Sequence, residues 1–160
     1  KTKEQNDFTV IQCWGYSTDG NLYLLDMLRG KFEAPQLRRD SKIFYKKHNE
    51  KTGIGALRYM YIEDKSSGSS LIQDFKSEKM KIKAVQRNID KVSRAYDVIP
   101  YIEAGRVYLN EDIPFVDSLV SEATSFPRGK NDDTIDPLMD AISITMDKPT
   151  NSLIASMQDN

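Results

Sequence analysis

The sequence predicts an α/β fold in which helices and strands alternate after an opening antiparallel hairpin. Two apolar, β-prone segments come first, separated by Asp19-Gly20, a turn sequence typical of hairpins. Helical and strand patterns then alternate to the C-terminus, which is the order of an α/β domain. The 160 residues, of which 39% are hydrophobic and 29% charged, suffice for one domain with a single core.

The first half of the chain predicts three strands and two helices. Residues 8–16 and 22–28 are rich in β-branched, aromatic and leucine side chains and form the hairpin. Residues 34–48 have apolar positions on one side of a helix and basic residues on the rest. Residues 57–62 form the third strand, and the serine-rich loop 66–70 caps the helix that follows it.

The second half predicts two short strands and three helices. In chain order these are a strand at residues 82–85, a helix at 90–99, a turn and strand at 102–109, a helix at 114–124 and a helix from about 132 to 146. Asp90 and Pro114 are residue types that favour the start of a helix. The polar residues 149–160 are expected to form a flexible tail.

Charge and residue types exclude several classes of protein. The net charge is -1, so DNA binding can be argued only from where the charges lie. A single cysteine, Cys13, which we expect in the core, excludes an internal disulfide framework and a cysteine-rich zinc site. His48 is the only histidine and is expected at an exposed helix end. The chain starts without a signal-peptide pattern and has no apolar run of the ~18 residues that a membrane span needs, which predicts an intracellular protein without membrane contact.

Acidic residues at the ends of predicted elements are the main chemical signal. They are Glu63 and Asp64 at a strand end, Asp132, Asp133 and Asp136 at a helix start, and Asp7 before the first strand. Side chains distant in sequence can converge at such ends. Carboxylate oxygens are the ligands that hard divalent cations prefer. Two such ions ~3.5–4 Å apart can hydrolyse a phosphodiester without a nucleophilic side chain.

The spacing of these acidic residues leaves alternatives open. Asp133 and Asp136 would share one face of a helix, and Asp132 would point elsewhere unless it precedes the first turn. In a strand Glu63 and Asp64 point to opposite faces, so only one of them would face a metal. Each cluster also has a purely structural interpretation, because aspartates commonly cap helices and acidic pairs at strand ends are commonly solvated.

A basic run offers candidate contacts to phosphates. Within 19 residues it contains Lys76, Lys79, Lys81, Lys83, Arg87, Lys91 and Arg94. These residues could bind nucleic acid without sequence preference, or could simply form a solvated surface. Lys65 follows the acidic pair, where it could touch a scissile phosphate or pair with Glu63 or Asp64.

Four sequence blocks carry a further signal, and they occur along the chain in this order: Tyr61-Ile62-Glu63-Asp64-Lys65-Ser66-Ser67-Gly68, Asp90-Lys91-Val92-Ser93-Arg94-Ala95, Ile102-Glu103-Ala104-Gly105-Arg106-Val107, and Phe126-Pro127 with Gly129-Lys130-Asn131-Asp132-Asp133 and Asp136. In content and order they resemble blocks of the nuclease domain of phage terminase large subunits. Asn6-Asp7-Phe8 is similar to the family segment that enters its second strand. Two residues depart from the family pattern: Asn131 stands where histidine is usual, and Pro137 where alanine is usual.

The resemblance implies an α/β, RNase H-like fold, with a central mixed sheet flanked by helices. That fold opens with three antiparallel strands, whereas this sequence predicts two before the first helix. The family's first strand, with its first catalytic aspartate, would then be missing. We therefore expect residues 1–148 to be an N-terminally truncated RNase H-like nuclease domain and residues 149–160 to be the tail. Such a fragment would bind metal weakly and cleave poorly.

The resemblance also implies roles for the acidic and basic residues. Glu63 or Asp64 would be the strand-end ligand and catalytic residue, Asp132, Asp133 and Asp136 the helix-side ligands, and Asp7 would lie near the metals. Catalysis is assigned to Glu63, Asp64, Asp133 and Asp136, with Mg²⁺ or Mn²⁺ in a two-metal site. The expected DNA contacts are Lys65, Lys83, Arg87, Lys91, Arg94 and Arg106.

The implied activity is cleavage of concatemeric double-stranded DNA during viral genome packaging, in the cytoplasm of the host cell. The implied partners are DNA, the N-terminal ATPase domain of the same polypeptide, the small terminase subunit and the portal protein. The sequence contains no ATPase phosphate-loop motif. Two alternatives stay open: another RNase H-like nuclease of the resolvase or integrase type, and a non-catalytic domain that docks on DNA or a protein partner.

Overall fold

The computed structural model describes residues 8–50 and 53–146. Within these ranges the elements, in chain order, are β1 (Thr9–Tyr16), β2 (Leu22–Gly30), α1 (Ala34–Asn49), β3 (Met60–Glu63), α2 (Ser67–Ser77), β4 (Ile82–Val85), α3 (Lys91–Glu103), β5 (Val107–Tyr108), α4 (Val116–Ser125) and α5 (Ile135–Thr145). They form two compact units. The first unit comprises residues 31–90, and the second unit comprises residues 8–30 and 91–146.

The second unit contains a three-stranded mixed sheet. Strands β1 and β2 pair antiparallel, with a bulge between Cys13 and Trp14. Strand β5 pairs in parallel with the start of β2, where Leu22 is opposite Val107. Gly20 has a φ of 85°, which supplies the backbone conformation that the predicted hairpin turn requires.

Three helices bury their apolar faces with β2 in the second unit. The buried residues of this core are Leu22, Leu24, Met27, Ala95, Val98, Val116, Leu119, Ile135, Leu138, Met139 and Ile142. Helix α5 supplies the last four, at the spacing of one helical face. The packing of that face fixes the rotation of α5, and therefore the direction in which its acidic residues point.

The first unit contains two parallel strands covered by helices. Strands β3 and β4 pair in register, Met60 with Ile82 and Glu63 with Val85. Helix α2 packs on this pair through a small core formed by Ile72, Phe75 and Ile82. Arg38 of α1 makes an ion pair with Asp74 of α2, whose atoms Nη2 and Oδ2 are 2.6 Å apart. The sheet thus brings the C-terminal ends of β3 and β4 side by side.

The predicted order of helices and strands is confirmed, but several ends differ. Strand β3 begins at Met60 instead of residue 57. Helix α3 continues to Glu103, beyond the predicted end near residue 99, because Tyr101 packs on the core and outweighs the poor helix propensity of Pro100. Helix α4 begins at Val116, after Phe115, whose positive φ of 64° breaks the helix that Pro114 was expected to start.

The described strands form two sheets, one mixed and one parallel. One other expectation needs correction. His48 is 5% exposed, not at the surface, because its ring packs 4.7 Å from the ring of Phe44. Cys13 is buried as predicted. Among the helices described, none is long and apolar enough to cross a membrane. The predicted tail, residues 149–160, lies outside the described residues.

Candidate functional site

The acidic pair at the end of β3 is held by two separate sets of partners. Glu63 is the last residue of the strand, and its Oε2 lies 2.6 Å from Nη1 of Arg87. Asp64 Oδ1 accepts a hydrogen bond of 2.6 Å from Ser69, and its Oδ2 accepts one of 3.3 Å from Gln86. Each carboxylate therefore has its own set of partners among the described residues.

A close approach of helix α2 to β3 builds this strand end. A Cβ atom on Gly68 would overlap the backbone carbonyl oxygen of Glu63, so only glycine fits without a shift. Ser66 has a φ of 54° and a ψ of -127°, a strained conformation that costs about 1–3 kcal/mol and is typical of functional sites. The tight connection places Ser69 where its hydroxyl reaches Asp64.

The face of the β3–β4 pair that carries Glu63 is also basic. Lys83 is opposite Tyr61 in the parallel register, and its Nζ lies 4.1 Å from the ring centroid of Tyr59. Arg87, four residues after Lys83, contacts Glu63. Two of the residues predicted to contact DNA therefore lie on the Glu63 side of the strand end.

The acidic residues near α5 are arranged differently from the sequence expectation. Helix α5 begins at Ile135, so Asp132 and Asp133 lie in the preceding turn and only Asp136 lies in the first helical turn. The prediction that Asp133 and Asp136 share one face of a helix therefore does not apply, because Asp133 precedes α5. Instead, Asp132 and Asp136 approach the same cation, with Oδ2 atoms 3.0 Å and 3.1 Å from Nζ of Lys91.

These contacts are part of a charge ladder formed by Lys91 and Arg94 of α3 with Asp132, Asp136 and Asp140. Arg94 Nη2 is 2.6 Å from Asp136 Oδ1, and its Nη1 is 3.7 Å from Asp140 Oδ1. The ladder joins α3 to α5 and to the turn before it. Lys91 and Arg94, which were predicted to contact DNA, thus hold predicted metal ligands in place.

The ladder shifts the pKa of its lysine. Burial alone would lower the pKa of Lys91, but the hydrogen bonds and charges of Asp132 and Asp136 outweigh burial. The pKa of Lys91 is therefore raised above the ordinary value of 10.5. The side chain therefore stays a full positive charge at neutral pH.

The residues 132–134, which precede α5, are called the acidic turn. A buried polar network beside this turn was not predicted. Glu122 of α4 is 6% exposed and bonds Thr134, which is 0% exposed and directly precedes α5. Arg29 and Gln12 reach the same network from β2 and β1. A signal was present in the sequence, because Glu122 follows Leu119 by three residues and so lies on the apolar face of α4.

Arg106 has a structural partner in the second unit. Its Nε and Nη2 donate hydrogen bonds of 3.1 Å and 2.8 Å to the carbonyl oxygen of Gly20. The guanidinium therefore holds the β1–β2 turn, and its predicted contact with DNA stays a prediction. Lys65 is exposed next to Asp64. Asp7, predicted to lie near the metals, is outside the described residues.

The donor chemistry suits a divalent cation, although the residues that the structure describes do not assemble a complete ligand set. Between residues 8 and 50 and between 53 and 146, no three histidine, cysteine, aspartate or glutamate side chains are grouped closely enough to hold one ion. Asp132 and Asp136 nevertheless converge on the positive charge of Lys91. Their oxygens are of the type that Mg²⁺ and Mn²⁺ prefer.

Comparison with known proteins places the chain in a family. The family model of the terminase RNaseH-like domain matches residues 1–144. The chain belongs to this family. A comparison with curated proteins and a comparison with solved structures found no match. Membership of the terminase RNaseH-like domain family confirms the resemblance drawn from the four sequence blocks, and it confirms the α/β, RNase H-like fold class.

Proposed function

We propose that this terminase RNase H-like domain is a metal-dependent endonuclease that cuts concatemeric double-stranded DNA during viral genome packaging. The observation that carries the proposal is the family match over residues 1–144. The acidic residues at the end of β3 and before α5 support it, because hydrolysis of a phosphodiester by two metal ions needs oxygen donors and no nucleophilic side chain.

The proposed ligands come from both acidic clusters. In the first unit, Glu63 or Asp64 would hold a metal. Glu63 already contacts the positive charge of Arg87, whereas Asp64, among the described residues, bonds only the neutral groups of Ser69 and Gln86. Asp64 is therefore the less costly of the two to present to a cation, since no counter-charge must move first.

In the second unit the proposed ligands are Asp132, Asp133 and Asp136, and Asp7 is proposed to lie near the metals. Asp132 and Asp136 are oriented by Lys91 and Arg94. Bound Mg²⁺ or Mn²⁺ would supply a water of lowered pKa and a Lewis acid for the scissile phosphate. The protein's own part is to orient these carboxylates.

Basic residues would bind the DNA backbone. Lys65, Lys83 and Arg87 lie at or beside the acidic strand end, where their charges could contact phosphates without reading sequence. Lys91 and Arg94 would act mainly through the charge ladder, and Arg106 through the β1–β2 turn. The proposed partners beyond DNA are the ATPase domain of the same polypeptide, the small terminase subunit and the portal protein, in the host cytoplasm.

A non-catalytic docking domain is the second candidate, and one observation favours it. The contacts of Glu63 with Arg87, and of Asp132 and Asp136 with Lys91, give these acidic residues a structural purpose. A resolvase or integrase is less well supported, because the family that matches is a terminase family.

Binding of Mn²⁺ by the 160-residue chain separates the two candidates. We would titrate the protein with Mn²⁺, follow free ion by electron paramagnetic resonance, and measure metal-dependent nicking of a supercoiled plasmid in parallel. Asp133→Asn is the test variant, because substituting Asp132 or Asp136 would also release Lys91. Asp140→Asn is the matched control, because it disturbs the charge ladder through Arg94 but removes no proposed ligand.

The nuclease proposal predicts that Asp133→Asn lowers the Mn²⁺ affinity at least about tenfold and abolishes the weak metal-dependent nicking expected of the wild-type chain. Asp140→Asn should keep both within about twofold of the wild-type protein. Equal Mn²⁺ affinity in the wild-type and Asp133→Asn proteins would favour the docking domain instead.

A further inference from the structure

Thr134 is an unusually constrained residue at the start of α5. Its amide N–H donates to Oε2 of Glu122 at 3.3 Å, and its hydroxyl donates to the same carboxylate. Its carbonyl oxygen accepts a hydrogen bond of 3.0 Å from Nε2 of Gln12. All three of its polar groups are therefore fixed by side chains from other elements, one of them 122 residues away in sequence.

The carboxylate of Glu122 is buried at a cost. Its Oε1 makes no hydrogen bond within the described part of the chain, and its nearest charge is Arg29 Nη2 at 3.7 Å. The guanidinium of Arg29 in turn lies 3.7 Å over the ring of Phe8. A buried ion pair with this geometry is a weak source of stability, and an apolar side chain on the same face of α4 would pack at lower cost.

The network lies next to two of the proposed metal ligands. Thr134 directly follows Asp133 and lies two residues before Asp136. Glu122 bridges the loop that connects α4 to the acidic turn, and it bonds the backbone at the point where the turn enters α5. The same loop is tightly closed at Gly129, where a Cβ atom would overlap the hydroxyl of Ser125.

We propose that Glu122, supported by Arg29, is a positioning residue that fixes the acidic turn through Thr134. Metal ligands lose affinity when the groups that orient them are removed, commonly by about 10–100-fold. A turn held at its N–H, hydroxyl and carbonyl groups keeps Asp132 and Asp133 in one arrangement. The part of this proposal that concerns metal rests on the proposed nuclease function.

Three variants test the proposal. Thr134→Val keeps the volume and the amide of residue 134 but removes the hydroxyl whose hydrogen bond Glu122 accepts. Glu122→Gln keeps an acceptor for Thr134 and removes the charge that faces Arg29. Val116→Ala is the matched control, because it removes buried apolar contacts from the same helix and leaves the Glu122–Thr134 contact intact.

Two readouts are measured on each variant of the 160-residue chain. Amide hydrogen exchange at residues 132–136, without metal, reports the order of the turn. The dissociation constant for Mn²⁺ reports whether the carboxylate ligands are correctly arranged. We expect Thr134→Val to speed exchange at these amides by about tenfold or more and to weaken Mn²⁺ binding about 10–100-fold, with Glu122→Gln intermediate. Val116→Ala should lower the melting temperature and leave both readouts unchanged.

Unchanged exchange at residues 132–136 in Thr134→Val would overturn the proposal. Faster exchange combined with wild-type Mn²⁺ affinity would also overturn it, since the network would then be merely structural. Changes of equal size in amide exchange and Mn²⁺ affinity in Val116→Ala would also overturn the proposal. A wild-type protein that binds no Mn²⁺ would refute the nuclease function, and the exchange data would still decide whether Glu122 fixes the turn.

Discussion

Replacing Gly68 by alanine is expected to destabilise the first unit by up to about 2 kcal/mol. Gly68 lies in the first turn of α2, against the end of β3. A Cβ atom there would stand 3.3 Å from the carbonyl carbon of Glu63 and 3.4 Å from Cγ2 of Ile62. It would overlap the carbonyl oxygen of Glu63 outright.

The size of the expected destabilisation follows from which atoms the added Cβ atom would displace. The overlapping atom belongs to the backbone of β3 and cannot rotate away, so α2 and β3 must separate. Forcing extra atoms into a packed region costs about 1–3 kcal/mol. Alanine has the better helix propensity by up to about 1 kcal/mol, which offsets part of this cost. The separation would also pull Ser69 away from Asp64.

Urea unfolding, monitored through the amide NMR signals of β3 and β4, measures this loss of stability in the first unit itself. Ser70→Ala is the matched control, since Ser70 is exposed in the same turn of α2 and its replacement by alanine gains part of the same helix propensity without a clash. A Gly68→Ala protein as stable as Ser70→Ala would refute the inference that close approach shapes the acidic strand end.

Two further predictions concern the second unit. Lys91 has a raised pKa in the folded protein, so its pairing with Asp132 and Asp136 stabilises the fold fully below pH 10.5 and less as the pH rises through the raised value. Urea unfolding from about pH 9 to 12 should therefore show the stability difference between wild type and Lys91→Met shrinking above pH 10.5, and a growing difference would contradict the pairing. Arg106→Ala should lower the free energy of unfolding by about 1.5–3 kcal/mol, because Gly20 loses two hydrogen bonds from a charged donor, and Arg106→Lys should recover part of that loss. Wild-type stability in Arg106→Ala would leave DNA binding as the better explanation of this arginine.

The order of elements could be predicted because each follows from local patterns. Asp19-Gly20 predicts the hairpin turn, and Gly20 adopts the positive φ that such a turn needs. In α5 the apolar spacing from Ile135 to Ile142 predicts a helix with one buried face, and that face is buried. The strand alternation likewise predicts that Glu63 and Asp64 have separate partners.

The start of α5 could not be predicted to the residue, for a physical reason. Asp132, Asp133 and Thr134 are consecutive, and each is a residue type that caps helices well. Local chemistry therefore does not distinguish a helix that begins at residue 133 from one that begins at Ile135. The choice is made by the buried contact between Thr134 and Glu122, which joins the residue before α5 to helix α4.

Long-range partners explain the other differences. The convergence of Asp132 and Asp136 on Lys91 depends on how α3 packs against α5, which no local spacing reveals. His48 was expected at the surface because it follows two lysines at a helix end. Its burial against Phe44 depends on the face of α1 that packs inward.

The central claim is that a terminase RNase H-like domain binds divalent metal through its acidic strand end and acidic turn. The most direct test is a crystal soaked in Mn²⁺, with the ions located by anomalous scattering. The account predicts Mn²⁺ within about 2.0–2.6 Å of an oxygen of Glu63 or Asp64, and Mn²⁺ within the same distance of Asp133 or its neighbours. Well-ordered carboxylates in both clusters without Mn²⁺ would contradict it.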